Sequence, residues 1–323
     1  MNYNILKHLT LLLTHTGLLL LFAPFIHSYI KKIKAMMQGR IGPPILQGYY
    51  DLIKYFHKET VASNQTSWLF SITPFIVFST TLAAGLLIPT FTSEEFIVSL
   101  GGIILFIYLF GLGRFFMTSS ACEPGSSFCS MASSREMMFA TLIEPVMLLP
   151  LFVFVCMYGT NNICETVNQL ASKGVALYTP TYILSIIAIF IASLAEMCRI
   201  PFDNQETHYE LTMVHEGMLL EYSGKQLGIM FFSGWLKQLI IISLIANLLF
   251  PLYTMPGFTF ASLCFAVIIY LLKVLIVSTF IVFIETIVAK VRLFRVRDIL
   301  MTSFIMSIIA LVISVYKGKG LGV

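Results

Sequence analysis

Long apolar runs constrain this chain most, because about 20 consecutive apolar residues are enough to cross a membrane as a helix. Eight such runs lie at about 9–30, 69–90, 97–117, 136–158, 180–199, 229–251, 258–284 and 299–316. The mean hydropathy of +0.88 over 323 residues excludes an ordinary soluble domain. Backbone polar groups in lipid must be satisfied within their own segment, so each run is predicted to be a helix. The sequence therefore predicts an all-α polytopic membrane protein, with about eight transmembrane helices in one membrane domain, 1–323.

One shorter segment, 43–58, predicts an amphipathic helix lying in the membrane interface. Pro43 and Pro44 suit the first turn of a helix. The apolar residues recur at helical spacing on one face, at Ile45, Leu46, Tyr49, Leu52, Ile53 and Phe56. We interpret the segment either as a surface anchor or as the floor of a cavity between the membrane and a partner protein.

The distribution of Lys and Arg indicates the orientation of the chain. With eight spans, both termini lie on one side, and that side carries four Lys residues, whereas the opposite loops carry 14 of the 20 Lys and Arg residues. Loops rich in positive charge stay in the cytoplasm. The bias predicts an integral membrane protein with both termini outside the cytoplasm or the mitochondrial matrix. The expected location is a bacterial or archaeal inner membrane, with both termini on the periplasmic side. The net charge of +4 reflects these loops and not a nucleic-acid surface.

The cysteines and histidines predict no metal site and no redox centre in this chain. The six cysteines include no Cys-x-x-Cys pair and no Cys/His cluster at metal-ligand spacing. The sequence also lacks a phosphate-binding glycine loop and a catalytic Ser/His pair. We therefore expect any cofactor to lie in partner subunits.

The charged residues near the end of the fifth span point to function, since a charge in a membrane is expensive unless it is paired or hydrated. Glu196 and Arg199 are three residues apart and are predicted to pair on one helix face. Pro201 should break or kink the helix.

Three acids follow that proline. If the chain resumes as a helix, Asp203, Glu206 and Glu210 line one face, where neighbouring carboxylates raise each other's pKa. Acids with pKa values near neutrality suit a proton path. The alternative is a solvated acidic surface loop.

Further charges lie inside the predicted spans. Glu144 lies eight or nine residues into the fourth span. We interpret it either as a proton relay or as a neutral acid with a structural role. Lys237 and Lys273 are intramembrane bases, either functional or held in structural ion pairs. Glu285 is twelve residues beyond Lys273, about 18 Å along a helix, so their partners must come from other helices or other subunits.

Several stretches together resemble a known family. They are Gly39-Arg40-Ile41-Gly42-Pro43, Arg114-Phe115-Phe116, Ala132-Ser133-Ser134-Arg135-Glu136, Glu144-Pro145, Pro201-Phe202-Asp203 and Glu221-Tyr222-Ser223-Gly224. The chain resembles the membrane subunit that links the two arms of complex I, the NADH dehydrogenase subunit 1 type. It resembles more closely the counterpart in group 4 membrane-bound nickel–iron hydrogenases of the formate hydrogenlyase and hydrogenase-4 kind. His208 stands where complex I members usually carry a further acid.

The resemblance implies a subunit without a redox centre, which anchors a peripheral electron-transfer arm and couples its redox step to translocation of protons or Na⁺. The coupling residues it implies are Glu144, Glu196, Asp203, Glu206, Glu210, Glu221, Lys237, Lys273 and Glu285. Arg135, Arg199 and His208 would modulate these residues electrostatically. Docking of the arm would use the loops 118–135 and 200–228, with Arg40, Asp51, Arg114, Ser134 and Glu136.

The implied partners are hydrogenase-like large and small subunits, a ferredoxin-like iron–sulfur subunit and antiporter-like membrane subunits. Iron–sulfur clusters and, in the hydrogenase case, a nickel–iron centre would lie in those partners. Two alternatives remain open. One is the quinone-site subunit of NADH:quinone oxidoreductase, and the other is a stand-alone ion transporter or structural anchor.

Overall fold

The computed structural model describes residues 2–63, 66–90, 102–173, 179–203, 214–251 and 260–320. The long helices in these ranges are α1 (Asn2–Met37), α2 (Gln47–His57), α3 (Trp68–Leu86), α4 (Ile103–Cys122), α5 (Ser127–Tyr158), α6 (Ile163–Lys173), α7 (Pro180–Glu196), α8 (Gly224–Leu249), α9 (Phe260–Ile287) and α10 (Leu293–Gly320). A 3₁₀ turn, Glu216–Leu219, precedes α8.

The predicted all-α membrane fold is confirmed. Seven of the described helices are long and apolar enough to cross a membrane, namely α1, α3, α4, α5, α8, α9 and α10. The remaining predicted span is α7, an apolar helix of 17 residues. Each of the eight apolar runs therefore coincides with a helix.

The prediction of a loop at 118–135 is wrong, because most of this stretch is helical. α4 continues to Cys122 and α5 begins at Ser127, nine residues before the predicted start of that span. The small side chains of the stretch 118–135 let α4 and α5 approach closely, as small residues do between membrane helices. The Ser133 hydroxyl in α5 donates to the Thr118 carbonyl in α4 at 2.9 Å.

The amphipathic helix is present, but it begins at Gln47 and not at the two prolines. α2 is held against α1 at the turn around Pro24, which lacks an N–H to continue the α1 ladder. The Gly48 N–H donates to the Ser28 hydroxyl at 2.8 Å, and that hydroxyl donates to the Pro24 carbonyl at 2.9 Å. The Tyr49 hydroxyl donates to the Leu21 carbonyl in the preceding turn of α1.

The helix α6 is absent from the sequence prediction, which treats this stretch as a connection. Its buried residues Ile163, Val167 and Leu170 recur at spacings of four and three, and this is the pattern of one helical face. Because α6 is shorter and more polar than the spans, a search for long apolar runs passes over it.

α8 is the central helix of the bundle. Within its most apolar window 72% of the residues are buried inside the chain, compared with 39% for α1 and α9 and 28% for α10. It packs against α1, α2, α3, α7 and α9. The side chain of Lys237, in the middle of α8, is therefore held largely inside the protein and away from lipid.

The Glu221-Tyr222-Ser223-Gly224 stretch joins the start of α8 to the neighbouring loops. The Tyr222 ring stacks on Phe70 at 4.0 Å between centroids. The Ser223 hydroxyl accepts from the Val61 N–H and donates to the Val61 carbonyl, both at 2.7 Å. Gly224 has φ +52°, and a Cβ there would overlap the Glu59 carbonyl group.

We expect Gly224→Ala to destabilise the protein by more than about 2 kcal/mol, because both the left-handed backbone and the contact with Glu59 exclude a side chain. Gly17→Ala is the matched control, since a Cβ at Gly17 meets nothing within 4 Å. Thermal unfolding of the detergent-solubilised chain measures both variants. Equal melting temperatures for the two would contradict the prediction.

Candidate functional site: a buried network of charged residues

Arg114 in α4 is the hub of the first network. Its Nη2 lies 2.5 Å from both carboxylate oxygens of Glu196 in α7. Its Nη1 donates to Glu144 at 3.1 Å, and its Nε lies 3.4 Å from Glu136. Glu136 and Glu144 are eight residues apart on α5, so they lie on one face about two turns apart. The planar guanidinium group of Arg114 contacts three carboxylates from two helices. A Lys ammonium lacks this planar geometry and would not be equivalent here.

Lys237 extends this network into α8. Its ammonium lies 2.6 Å from Glu196, so that carboxylate is shared between a guanidinium and an ammonium. The same ammonium lies 5.5 Å from the centroid of the Phe110 ring in α4. The Glu196 carboxylate thus links α7, on which it lies, to α4 through Arg114 and to α8 through Lys237.

The predicted pairing of Glu196 with Arg199 is wrong. α7 ends at Glu196, and Cys198 then adopts φ +49°, a left-handed conformation outside helical geometry. The Glu196 side chain lies with Arg114, whereas Arg199 pairs with Glu285 of α9. The i, i+3 argument requires a continuous helix, and the turn after Glu196 removes it.

Arg199 belongs to a second network. Its Nη1 lies 3.4 Å from Glu285, whose other carboxylate oxygen lies 3.5 Å from Lys34 of α1. Its Nη2 donates to the Gln238 side-chain oxygen at 2.8 Å. The prediction that Glu285 finds its partners on other helices is confirmed.

The two networks meet on neighbouring residues of α8. Lys237 belongs to the first network and Gln238 to the second. A cavity of about 340 Å³ lies between the networks and is lined by Glu196, Lys237, Arg199, Gln238, Glu285 and Lys34. Asp51 and Tyr55 of α2 also line it, so the polar face of the amphipathic helix forms one wall.

Glu144 connects the first network to a second, more open pocket. About 38% of its side chain is exposed. This pocket of about 550 Å³ between α4 and α5 is otherwise lined mainly by apolar side chains, including Tyr108, Leu112 and Phe115. The pocket faces outward, and a carboxylate is poorly suited to lipid at that depth.

Other predicted site residues lie apart from the two networks. Asp203 lines the central cavity and pairs with Lys290 at 2.8 Å. Lys273 is buried in α9 but does not line the cavity. Glu221 is exposed beside the Tyr222 contact. Glu206, His208 and Glu210 lie outside the described residues.

The predicted docking residues divide into two groups. Arg40 and Ser134 are exposed, and the partly exposed Asp51 accepts a hydrogen bond from Gln47 at 2.8 Å. Arg114 and Glu136 are buried within the chain, in the first network and not on the surface. The modulating residue Arg135 is partly exposed, and its guanidinium lies 2.9 Å from the Met131 sulfur.

The fold brings to the site several residues that the sequence patterns do not single out. His27 stacks on Trp235 at 4.6 Å, and its Nδ1 lies 3.2 Å from the Gln238 oxygen. Lys34 counts in the sequence only as a topology signal. A third group combines Glu136, Cys198 and His215, whose side-chain ligand atoms lie within 4.8 Å of one another. These three come from distant segments, so no local spacing could have revealed them.

This arrangement defines a class of protein, a helical membrane subunit whose buried ion pairs link several of its spanning helices. A family model described as NADH dehydrogenase matches residues 9–316, so the chain belongs to that family. The family resemblance predicted from the sequence is confirmed. The chain is therefore a membrane subunit of an oxidoreductase complex.

The chain is similar to formate hydrogenlyase subunit 4 of Escherichia coli (strain K12), at 31% identity over 84% of this chain and 87% of the relative. It is equally similar to hydrogenase-4 component C of the same organism, at 31% identity over 92% of this chain and 93% of the relative. A subunit of the NADH-quinone oxidoreductase of Wolinella succinogenes is 29% identical over 73% of this chain and 77% of the relative.

A solved structure shares the fold. A chain in the membrane-bound sulfane sulfur reductase, an archaeal respiratory membrane complex, aligns with a TM-score of 0.80 at 20% identity. The alignment covers 94% of this chain and 99% of that one.

We expect Glu196→Gln to destabilise the protein by about 3–5 kcal/mol, because it leaves Arg114 and Lys237 buried around a neutral amide. Glu144→Gln is the matched comparison. It removes a carboxylate that pairs with the same Arg114 guanidinium, but the Glu144 side chain is 38% exposed. Its effect should be about 1 kcal/mol or less. Thermal unfolding in detergent compares the two, and an equal loss for both would contradict the central position of Glu196.

Proposed function

We propose that this chain is the membrane subunit of a complex of the hydrogenase-4 or formate hydrogenlyase kind, in which it couples electron transfer in the peripheral arm to ion movement. The two networks of ion pairs, one from Glu144 to Lys237 and the other from Arg199 to Lys34, carry this proposal. Buried ionisable residues that pair within a membrane often form ion pathways. The identity with formate hydrogenlyase subunit 4 and hydrogenase-4 component C supports the hydrogenase-type assignment.

The formal charges of the two networks support coupling. The first network has two cations, Arg114 and Lys237, against three carboxylates. The second has two cations, Lys34 and Arg199, against one carboxylate, Glu285. Among the described residues, the first network therefore carries one excess negative charge and the second carries one excess positive charge. A charge that enters the cavity between them would interact with both networks.

The exposed edge of Glu144 supports a membrane partner. An ionisable group among lipid-facing side chains such as Tyr108 and Leu112 would be expensive unless another subunit covers it. We propose that an antiporter-like membrane subunit packs over the pocket between α4 and α5 and continues the path from Glu144. Asp203, Glu206 and Glu210 would connect the cavity to the side where the peripheral arm docks.

The peripheral partners would supply all redox chemistry. We propose hydrogenase-like large and small subunits and a ferredoxin-like subunit, with iron–sulfur clusters and a nickel–iron centre outside this chain. We propose that Arg40, Asp51 and Ser134 contact that arm and that Arg135, Arg199 and His208 modulate the acids electrostatically. The basic loops support an inner-membrane location with both termini on the periplasmic side.

A quinone-linked complex is the second candidate, and one observation favours it. The 340 Å³ cavity has apolar walls formed by Met230, Phe231 and Trp235 beside the polar groups, and it lies within the size range of small-molecule sites. The similarity to a subunit of the Wolinella succinogenes NADH-quinone oxidoreductase is consistent with this candidate.

Isolation of the intact complex from native membranes separates the two candidates. The hydrogenase-type proposal expects hydrogen evolution from a reduced dye together with bound nickel. An intact complex with neither activity nor nickel, but with electron transfer to a quinone, would reject that proposal in favour of the second candidate.

We expect Lys237→Met to lower the number of protons translocated per electron in the assembled complex, while dye-linked electron transfer in the peripheral arm continues. The substitution removes the charge that joins α8 to Glu196 but keeps an apolar chain of similar length. Proton uptake into inverted vesicles, measured against electron flux, gives the ratio.

Arg297→Gln is the matched control for that measurement. Arg297 and Asp298 form an ion pair 3.7 Å apart, with both side chains about two-thirds exposed, so removing this cation should not change the ratio. If Lys237→Met and Arg297→Gln both retain the wild-type ratio, Lys237 is not part of the coupling path.

A further inference from the structure

Three side chains with metal-binding chemistry converge where α5, the end of α7 and the 3₁₀ turn meet. They are Glu136, Cys198 and His215, and one ligand atom from each lies within 4.8 Å of the other two. Carboxylate oxygen, thiolate sulfur and imidazole nitrogen are the ligand types that Zn²⁺ takes in proteins. Around a tetrahedral Zn²⁺ such atoms lie about 3.3–3.6 Å apart, so a shift of about 1 Å closes the site.

Two of these groups have unused binding capacity that points to a ligand. Glu136 is only 4% exposed, and its Oε2 has no hydrogen-bond partner among the described residues, although Oε1 lies near Arg114. The Nδ1 of His215 is likewise buried and without a hydrogen bond in the described part of the chain. A buried polar atom left unsatisfied is costly and calls for an explanation, such as a bound ion or water.

The surroundings provide space for an ion and keep the imidazole available. His215 borders the 340 Å³ cavity together with Cys198, and it borders a separate void of about 30 Å³ together with Glu136. The smaller void is large enough for a water molecule. The Nδ1 of His215 carries no hydrogen bond among the described residues, so this nitrogen remains available as a ligand.

We propose that Glu136, Cys198 and His215 form a binding site for a divalent transition-metal ion, with Zn²⁺ as the best chemical match. We assign Oε2 of Glu136 and Nδ1 of His215 as ligand atoms because both lack a hydrogen bond among the described residues, and Sγ of Cys198 as the third. A water molecule from the adjoining cavities completes four-coordination. On binding, the S–H bond of Cys198 breaks, a sulfur–zinc bond forms and the proton leaves to solvent. The thiolate and the carboxylate place two negative charges beside the ion, and a buried charge requires such partners.

The site shares Glu136 with the first network. Glu136 contacts Arg114 through one carboxylate oxygen, and the proposed metal would use the other. Zn²⁺ has no redox chemistry, so its binding is independent of whether the complex evolves hydrogen or reduces a quinone. Failure of the metal test would therefore leave the proposed coupling function untouched, and the reverse also holds.

Co²⁺ titration of the full-length chain, reconstituted in nanodiscs and first treated with a chelator, tests the site. Co²⁺ adopts the same geometry as Zn²⁺ and gives a thiolate-to-metal absorption band when sulfur is a ligand. We expect a band that saturates at one equivalent of Co²⁺ and disappears when Zn²⁺ is added. A wild-type chain without such a band would overturn the proposal.

Matched variants assign the ligands. Cys198→Ser should lose the band, whereas Cys164→Ser should keep it, because Cys164 is another buried free cysteine, on α6, that does not belong to this group. Cys122, Cys156 and Cys264 are exposed, so a band that survives Cys198→Ser would reveal adventitious binding to them and reject the site.

A second pair of variants keeps the test decisive if Cys198→Ser does not fold. His215→Gln and Glu136→Gln each retain the thiol but remove one proposed ligand. Loss of an outer-shell partner alone weakens metal affinity about 10- to 100-fold, so loss of a ligand should weaken Co²⁺ binding at least about tenfold. Wild-type affinity in both variants would overturn the proposal.

Discussion

The positive charge of Arg114, held inside a membrane protein, is the interaction on which the rest of the site depends. A guanidinium cannot discharge by losing a proton at physiological pH, so its burial has to be matched by acids. Glu136, Glu144 and Glu196 provide that match from two other helices, and this requirement fixes how α4, α5 and α7 face one another. The helices could pack by apolar contacts in many rotations, but these ion pairs select one of them.

The end of α7 explains why two networks exist and not one. Glu196 and Arg199 carry opposite charges three residues apart, and on a continuous helix they would neutralise each other. The turn at Cys198 separates them, so each finds its partner on a different helix. Two charges that would have formed a closed local pair instead become the neighbouring ends of two longer chains of ion pairs, with a cavity between them.

The helices could be predicted well from the sequence because lipid imposes a strong and local rule. A run of apolar residues has to satisfy its backbone within itself, and all eight runs are helical as a consequence. The rule says nothing of short amphipathic helices, so it does not find α6. It also gives little information about where a helix ends in water, so the predicted start of α5 is nine residues late.

The charged residues of the site could be named from the sequence, but their partners could not. Glu144, Glu196, Lys237 and Glu285 can be recognised because charges stand out against an apolar background. Their pairing depends on which faces of α1, α4, α5, α8 and α9 meet, and this is a property of the packed bundle. The same limit applies to Glu136, Cys198 and His215, which share no local pattern. Hydropathy identifies the unusual residues, and only the fold shows which of them touch.

The hydrogen bonds that Gly48 and Tyr49 donate to α1 have a mechanical consequence. They fix the surface helix α2 to α1, the same helix that carries Lys34 into the second network. Ser28 and Lys34 are six residues apart, about 9 Å along one rigid rod. A displacement of α2 would therefore also move the part of α1 that carries Lys34. The amphipathic helix at the membrane surface and the buried Lys34–Glu285 ion pair are thus attached to the same helix.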